Sequence, residues 1–416
     1  MRQTANAAPG ELILLHSARQ LLTLHGPPGP RRGPEMRELA IIPDGAVLIR
    51  NGVIEDVGPT RRVANLQRAR RARELDATGR VVLPAFVDPD AALVTKALST
   101  GQKARLEKNA LKDDGPPIAE SLRVMSRRRM EMRSTGMAHT LASYGVLVTG
   151  SSTASADDPR NVSRILAVHK ELEGSPVRIR SILTWPSDGL RASANPQTDL
   201  AEWLNTIRTK DLASIVEFES TPRDLAPVRR AAQLAMQRGF TVRLRSEGDL
   251  DRETVDLAIE CGAIAVHGSP ASARSLLGAL APTCVFVAPG SELIEYDPGK
   301  THTIQSAIDS GLAFALSSAF HGGVPGTLNM QFIVHLACSR LKLTPEQAIT
   351  AATHNAAAAL QFAGSAGSLA PGRQADLIVM DVPDYRDIPM RAGHHDALMV
   401  IRAGRVIYRK PALTLD

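Results

Sequence analysis

Aromatic side chains are scarce in this 416-residue chain: two Trp, four Tyr and eight Phe amount to 3%. Single-stranded nucleic acids are gripped by stacking bases on aromatic rings along a basic groove. The scarcity therefore excludes such a partner, although the formal net charge is +6. The densest basic stretch, RRVANLQRARRAR (Arg61–Arg73), contains no aromatic residue and reads as a solvated helix or loop face. Cysteine is also rare. Cys261, Cys284 and Cys338 lie in apolar surroundings without C-x-x-C spacing, which excludes a disulfide framework or a thiolate zinc site and predicts reduced core thiols. No apolar run approaches the ~20 residues needed to span a bilayer. Met1–Gly10 lacks a basic start followed by an apolar core, so the expected setting is cytoplasmic, with no membrane partner.

What is present is an ordinary globular composition, 44% hydrophobic and 22% charged, at a length suited to one large α/β domain with a smaller appendage. Ala46–Arg50 and Val53–Val57 flank Asn51-Gly52, the dipeptide that most readily takes the left-handed conformations of a two-residue hairpin. Gly26–Met36 (GPPGPRRGPEM) is too rich in proline and glycine for helix or strand and reads as a surface loop. Near the other end, Asp376–Asp381, Ala397–Ile401 and Arg405–Tyr408 read as strands, so the two ends are expected to meet in one β-domain. Between them, apolar strand candidates recur at Val81–Val87, Val146–Thr149, Val177–Leu183, Ser214–Phe218, Thr241–Leu244, Ala263–Val266, Cys284–Val287 and Ala313–Leu316. They alternate with helical segments such as Val228–Gln237 and Thr303–Ser310, at the spacing of β-α units. Such a series closing on itself is a (β/α)8 TIM-type barrel, with its chemistry at the C-terminal ends of the strands. The expected division is a composite β-sandwich domain from residues 1–84 plus 366–416, and a barrel over 85–365. Thr344-Pro345-Glu346-Gln347 then predicts a helix start with a capping box.

The run RVVLPAFVDPDAAL (Arg80–Leu93) resembles the first-strand motif of the amidohydrolase superfamily, Pro-Gly-apolar-apolar-Asp-x-His-x-His. THNAAAALQF (Thr353–Phe362) and GSLAPGRQADLIVMD (Gly367–Asp381) resemble the end of an amidohydrolase. The segments LHGPPGPRRGPEM, NMQFIVHLACSRLKLTPEQAITAATHNAA and DVPDYRDIPMRAGHHDALMVIRAGRVIY are similar to imidazolonepropionases, which hydrolyse the imidazolone ring in histidine degradation. The likeness is strong at both ends and in the last third, and faint through Ala97–Ser220.

The resemblance implies a divalent zinc or iron ion held by histidines and an aspartate, which activates water against a cyclic amide. It also implies a homodimer. Carried over residue by residue, the ligand set is not here. The first-strand histidines fall at Asp90 and Ala92, the fifth-strand histidine at Arg245, and the eighth-strand aspartate at Ala319; the proton-shuttling glutamate falls at Gly248, one residue from Glu247. His267 alone matches a ligand histidine, that of the sixth strand. The expectation is no resident cofactor, with pocket candidates Asp90, Arg245, Glu247, His267 and His321.

Two readings follow. One is a noncatalytic imidazolonepropionase-like homologue that binds a small molecule or pairs with a partner; the other is a hydrolase of cyclic-amide C–N bonds with a rearranged site. His335, His354, His394 and His395 read as packing or surface residues, and Asp376 as structural. No G-x-S-x-G elbow occurs, and Ser151-Ser152 and Ser317-Ser318 have no identifiable base. Charges alternate with apolar residues in Arg178-Ile179-Arg180, Glu217-Phe218-Glu219 and Arg243-Leu244-Arg245, so each pair shares one strand face. Either these charges decorate strand ends, or they point into the barrel near its mouth. In the second case Arg245 supplies the positive charge of the missing metal and reaches toward Asp90 and Glu247.

Overall fold

The computed structural model describes residues 11–95, 122–153, 159–172, 175–185, 196–220, 225–246, 250–269, 279–294, 304–321 and 326–411. Strands from both ends of the chain pair in one sheet. β1 (Leu12–Leu22), β2 (Ile41–Arg50), β3 (Val53–Pro59), β4 (Arg73–Asp76) and β5 (Val81–Pro84) come from the first part, and β14 (Leu377–Met380), β15 (Ala397–Arg402) and β16 (Arg405–Arg409) from the last. Their order is β16-β15-β14-β5-β1-β2-β3, with β4 beside β1. The predicted hairpin joins β2 to β3, and Asn51 and Gly52 both take positive φ, 52° and 81°. One face of this sheet buries Leu15, Val47, Val82, Leu377 and Ile401.

The second sheet is the barrel. It runs from β6 (Phe86–Asp88) through β7 (Val146–Ser152), β8 (Arg178–Trp185), β9 (Ile215–Ser220), β10 (Thr241–Ser246), β11 (Ala265–His267) and β12 (Val285–Pro289) to β13 (Phe314–Ser317), each parallel to the next. An isolated bridge between Ala91 and Phe320, with Ala92 N–H donating to the Phe320 carbonyl at 2.7 Å, ties the first strand to the eighth at the mouth. Strand residues alternate between two cores. Val216, Phe218, Val242 and Leu244 pack outward against the helices, whereas Val148, Ile182, Ile215, Ala265, Val285, Val287, Ala313 and Ala315 fill the interior. The helix Met330–Arg340 starts at the N-cap Asn329, and the helix Pro345–Ala352 carries the predicted capping box of Thr344 and Gln347.

Three expectations need correction. Val81–Val87 is not one barrel strand: Val81–Pro84 pairs with β14, the backbone steps across at Ala85, whose N–H donates to the Asp376 carbonyl at 3.1 Å, and only Phe86–Asp88 enters the barrel. Gly26–Met36 is not merely a surface loop. Met36 is fully buried, and Arg31 is inserted with its N–H on Asn355 Oδ1 at 2.8 Å and Nη2 on the Leu24 carbonyl at 2.7 Å. Asn355 Nδ2 returns bonds to the carbonyls of Arg31 and Phe314, both at 2.9 Å, which pins this irregular segment to the eighth strand. The third concerns Arg178 and Arg180: of the two readings left open, strand ends or the barrel mouth, the second fails for this pair, which stands at the start of its strand on the barrel floor. Their guanidiniums sit over the Phe362 ring at 5.1 and 4.2 Å, Arg178 Nη2 meets Asp376 Oδ2 at 3.2 Å, and Arg180 Nε donates to the Leu360 carbonyl at 3.2 Å. Ala356, Ala357 and Leu360 close the floor from below. They share the face of the interior residue Ile182, but at the start of β8, since alternation fixes a face and not a height along the strand.

The arginine-rich stretch forms a short helix, Thr60–Ala64, and a 3-10 turn, Ala69–Arg71, on the outside of the terminal-strand sheet. Its arginines are exposed, and several are paired: Arg62 with Asp56, Arg68 with Glu55 and Arg73 with Glu11.

Candidate functional site

Period-two geometry turns Arg243 and Arg245 of β10 inward, because Val242 and Leu244 are committed to the outer core. The parallel register places Arg243 beside Glu217 of β9. All three charged groups gather at the mouth with Asp90, which the chain delivers just beyond β6. Arg245 Nη2 donates to Asp90 Oδ2 at 2.8 Å, and its Nε to Glu217 Oε1 at 3.1 Å. Arg243 Nε donates to Glu217 Oε2 at 2.7 Å and its Nη1 to the Pro89 carbonyl at 3.0 Å. Thr184 Oγ1 adds a third donor to Glu217 at 3.3 Å. Two histidines complete the group: His321 Nε2 lies 3.2 Å and His267 Nδ1 3.6 Å from Asp90 Oδ2.

Asp90, Glu217 and Arg243 are fully buried, His267 is 2% exposed, and Arg245 and His321 form the outer edge with side chains 19% and 27% exposed. Burial alone would raise both carboxyls. The Arg243 and Arg245 guanidiniums overcome it at Glu217 and bring that group to about 2, and Arg245 together with His321 holds Asp90 well below the usual carboxylate range. Burial and the two guanidiniums push His267 well below its ordinary value, so this imidazole is neutral. Two cations and two anions thus balance at the mouth.

Asp88 sits immediately beneath. Its Oδ1 accepts from Ser318 N–H at 3.0 Å and Asp90 N–H at 3.2 Å, while burial, only partly offset by those bonds, pushes its carboxyl up to about 7. Arg243 Nη2 makes an ion-pair contact with Glu217 Oε2 at 2.7 Å, whereas Asp88 Oδ2, Asp90 Oδ1 and both ring nitrogens of His267 have no hydrogen-bond partner.

The structure therefore brings together four of the five sequence candidates, Asp90, Arg245, His267 and His321, and Glu247 lies outside the described residues. Arg245 reaches Asp90 as expected, but its second carboxylate is Glu217. Ala92 is buried and joins the mouth only through its backbone, and Ala319 follows β13 in a left-handed conformation with φ 48°. Among the described residues, no set of three or more His, Cys, Asp or Glu side chains is grouped so as to hold a metal ion.

Sequence reasoning also missed a base for Ser151. Its Oγ lies 2.9 Å from His169 Nε2 on the helix that follows β7, and accepts from Leu93 N–H at 3.0 Å. Both residues are buried and burial drives the His169 imidazole down to about 3, so the pair stitches strand to helix. Three further histidines bond to backbone carbonyls, His335 to Pro389, His354 to Gly29 and His395 to Ser143, while His394 is exposed. Asp376 accepts from Ala403 N–H and pairs with Arg178.

Comparison with known proteins agrees with this architecture. The profile of the Amidohydrolase family matches residues 294–407. Imidazolonepropionase from Solibacter usitatus is 30% identical over 416 residues, covering 96% of this chain and 99% of the relative. Imidazolonepropionase from Chloroflexus aggregans is 29% identical over 95% of this chain and 98% of its own length. Among solved structures, E. coli guanine deaminase superposes with a TM-score of 0.68 at 14% identity, over 96% of this chain and all of the other. A triazine hydrolase variant gives 0.69 at 14% identity, over 96% of this chain and 95% of its own. These two show a shared fold. The full-length relatives go further, and the chain belongs to the amidohydrolase superfamily, in its imidazolonepropionase-like branch.

Proposed function

We propose that this protein is an imidazolonepropionase-like homologue that has exchanged the metal centre for an ion-paired cluster, and that it works by binding a small molecule or a partner subunit rather than as a metal-dependent hydrolase. The observation that carries this reading is the Arg245 guanidinium, shared between Asp90 and Glu217 where a resident cation would neutralise the carboxylates. A zinc or iron centre needs free carboxylates and neutral imidazoles at roughly 2.0–2.2 Å. Here both carboxylates already carry guanidinium partners, and a dication would sit against two positive charges at close range. The residues present do not fit the family's metal.

The proposal carries with it, from the resemblance alone, a pocket for a small cyclic amide and a homodimeric assembly; the full-length relatives are named imidazolonepropionases. Three free cysteines fit a reducing, cytoplasmic setting. A second reading, hydrolysis of a cyclic amide at a rearranged site, draws on Asp88, whose pKa of about 7 suits proton transfer. Its complete burial beneath the cluster counts against that role.

The test is elemental analysis of dialysed protein alongside a ring-opening assay with imidazolonepropionate. The expected result is no stoichiometric zinc or iron and no turnover above background. A metal-to-protein ratio near one would overturn the proposal whatever the assay gave.

A further inference from the structure

The cluster has an inner and an outer half. Arg243 reaches Glu217 from inside, is fully buried, and also donates to the Pro89 carbonyl. Arg245 comes from the outer edge, and only its guanidinium head is engaged: Nη2 lies on Asp90 Oδ2 at 2.8 Å and 3.3 Å from Glu217 Oε2, and Nε lies on Glu217 Oε1 at 3.1 Å. The shortest of these is a charge-assisted hydrogen bond, and the planar guanidinium head spans both carboxylates. A second, independent feature marks the same position. His267 is 2% exposed, makes no hydrogen bond through either ring nitrogen, and turns Nδ1 toward Asp90 Oδ2 at 3.6 Å. His321 Nε2 closes the same oxygen from the solvent side at 3.2 Å.

We propose that Asp90, Glu217, His267 and His321 form a subsite for a planar nitrogen cation of the guanidinium or amidinium class, and that Arg245 fills it with a guanidinium from the chain itself. The acceptors are preorganised by groups other than Arg245. Glu217 is fixed by Arg243 and Thr184, and the chain at Asp90 by the bond from its N–H to Asp88 and by the Ala91–Phe320 bridge. Shortening residue 245 therefore empties the subsite without dismantling it, and leaves two buried carboxylates facing a single fixed guanidinium. A free cation of matching shape recovers the lost charge and hydrogen bonds.

The inference rests on the reading of the mouth as ion-paired and metal-free, and its test is separable from that reading. Arg245→Ala is refolded and melted in ~10 mM guanidinium chloride or ~10 mM potassium chloride, well below denaturing concentrations of the former, with the unaltered chain as control. The expected result is a rise in melting temperature of about 2 °C or more, or a higher refolding yield, in guanidinium for the variant and neither for the control. Equal behaviour in the two salts, including failure to refold in both, overturns the proposal. Arg245→Ala combined with Glu217→Gln should lose the response; a response that persists there also overturns it, since it would come from elsewhere. Micromolar zinc is the third arm: stabilisation of Arg245→Ala by zinc but not by guanidinium would show a metal subsite and not one for a planar cation. Metal found in the unaltered protein as purified would instead sink the ion-paired reading.

Discussion

Replacing Arg243 by Met tests whether the cluster carries folding energy. Among the described residues Arg243 is the largest fully buried side chain, and the substitution removes its bonds to Glu217 Oε2 and to the Pro89 carbonyl together. Met is flexible and fills much of the same volume, so little of the effect should come from a cavity. Breaking a buried ion pair from one side costs about 3–5 kcal/mol, because the remaining charge stays desolvated. Glu217 keeps Arg245 and Thr184, which places the expected loss at the low end, ~3 kcal/mol. With an unfolding entropy of ~2.1 cal/mol/K per residue, the 416 residues give ~0.9 kcal/mol/K, so the melting temperature should fall by roughly 3–4 °C. Scanning calorimetry on Arg243→Met, Glu217→Leu and the double variant supplies the coupling. The double variant should recover much of the single losses, since a buried pair exchanged for apolar groups is often neutral. An Arg243→Met protein as stable as the parent, or losses that simply add, would refute the reasoning.

Three further outcomes are expected. Asp88 titrates at about 7 in the folded chain against 3.8 ordinarily, so its contribution is fully present below about 3.8 and is lost as pH rises through 7; Asp88→Asn should raise the melting temperature relative to the parent at pH 8 and much less at pH 5, and a difference that does not change with pH would rule this out. Asn355→Ala leaves the Arg31 N–H and two carbonyls without partners, with an expected loss of ~2–4 kcal/mol and faster proteolysis within Gly26–Met36; unchanged cleavage kinetics would mean the loop is held by other contacts. Thr344→Ala removes half of the capping box and should cost ~1 kcal/mol by denaturant unfolding, whereas a loss below the error of that measurement would count against the box.

The sequence put Arg243 and Arg245 on one strand face with Leu244 on the other, and left open whether that face was the barrel interior or the charges only decorated a strand end. It did not announce height. Arg178-Ile179-Arg180 has the same pattern, yet it lies at the floor, since alternation reports the face of a strand and is silent about position along it. The partnership of Arg245 with Glu217 depends on lateral register between strands about thirty residues apart, which no local pattern encodes. The Ser151–His169 contact was missed for a similar reason, as one member is on a strand and the other on a helix whose rotation depends on packing. Burial of Arg31 was hidden by composition: proline and glycine mark irregular backbone, but irregular backbone can be inserted wherever a side chain such as Asn355 supplies its hydrogen bonds.

The step at Ala85 has a mechanical consequence. Val81–Pro84 is clamped between β1 and β14 in the terminal-strand sheet, and the residues that follow without a loop are the first barrel strand and Asp90. Tension in this segment is transmitted along covalent backbone, so neither sheet can fray here without moving the carboxylate that anchors Arg245. The two sheets should consequently protect this stretch from amide exchange as a single block, with Val82 and Val87 opening at the same rate.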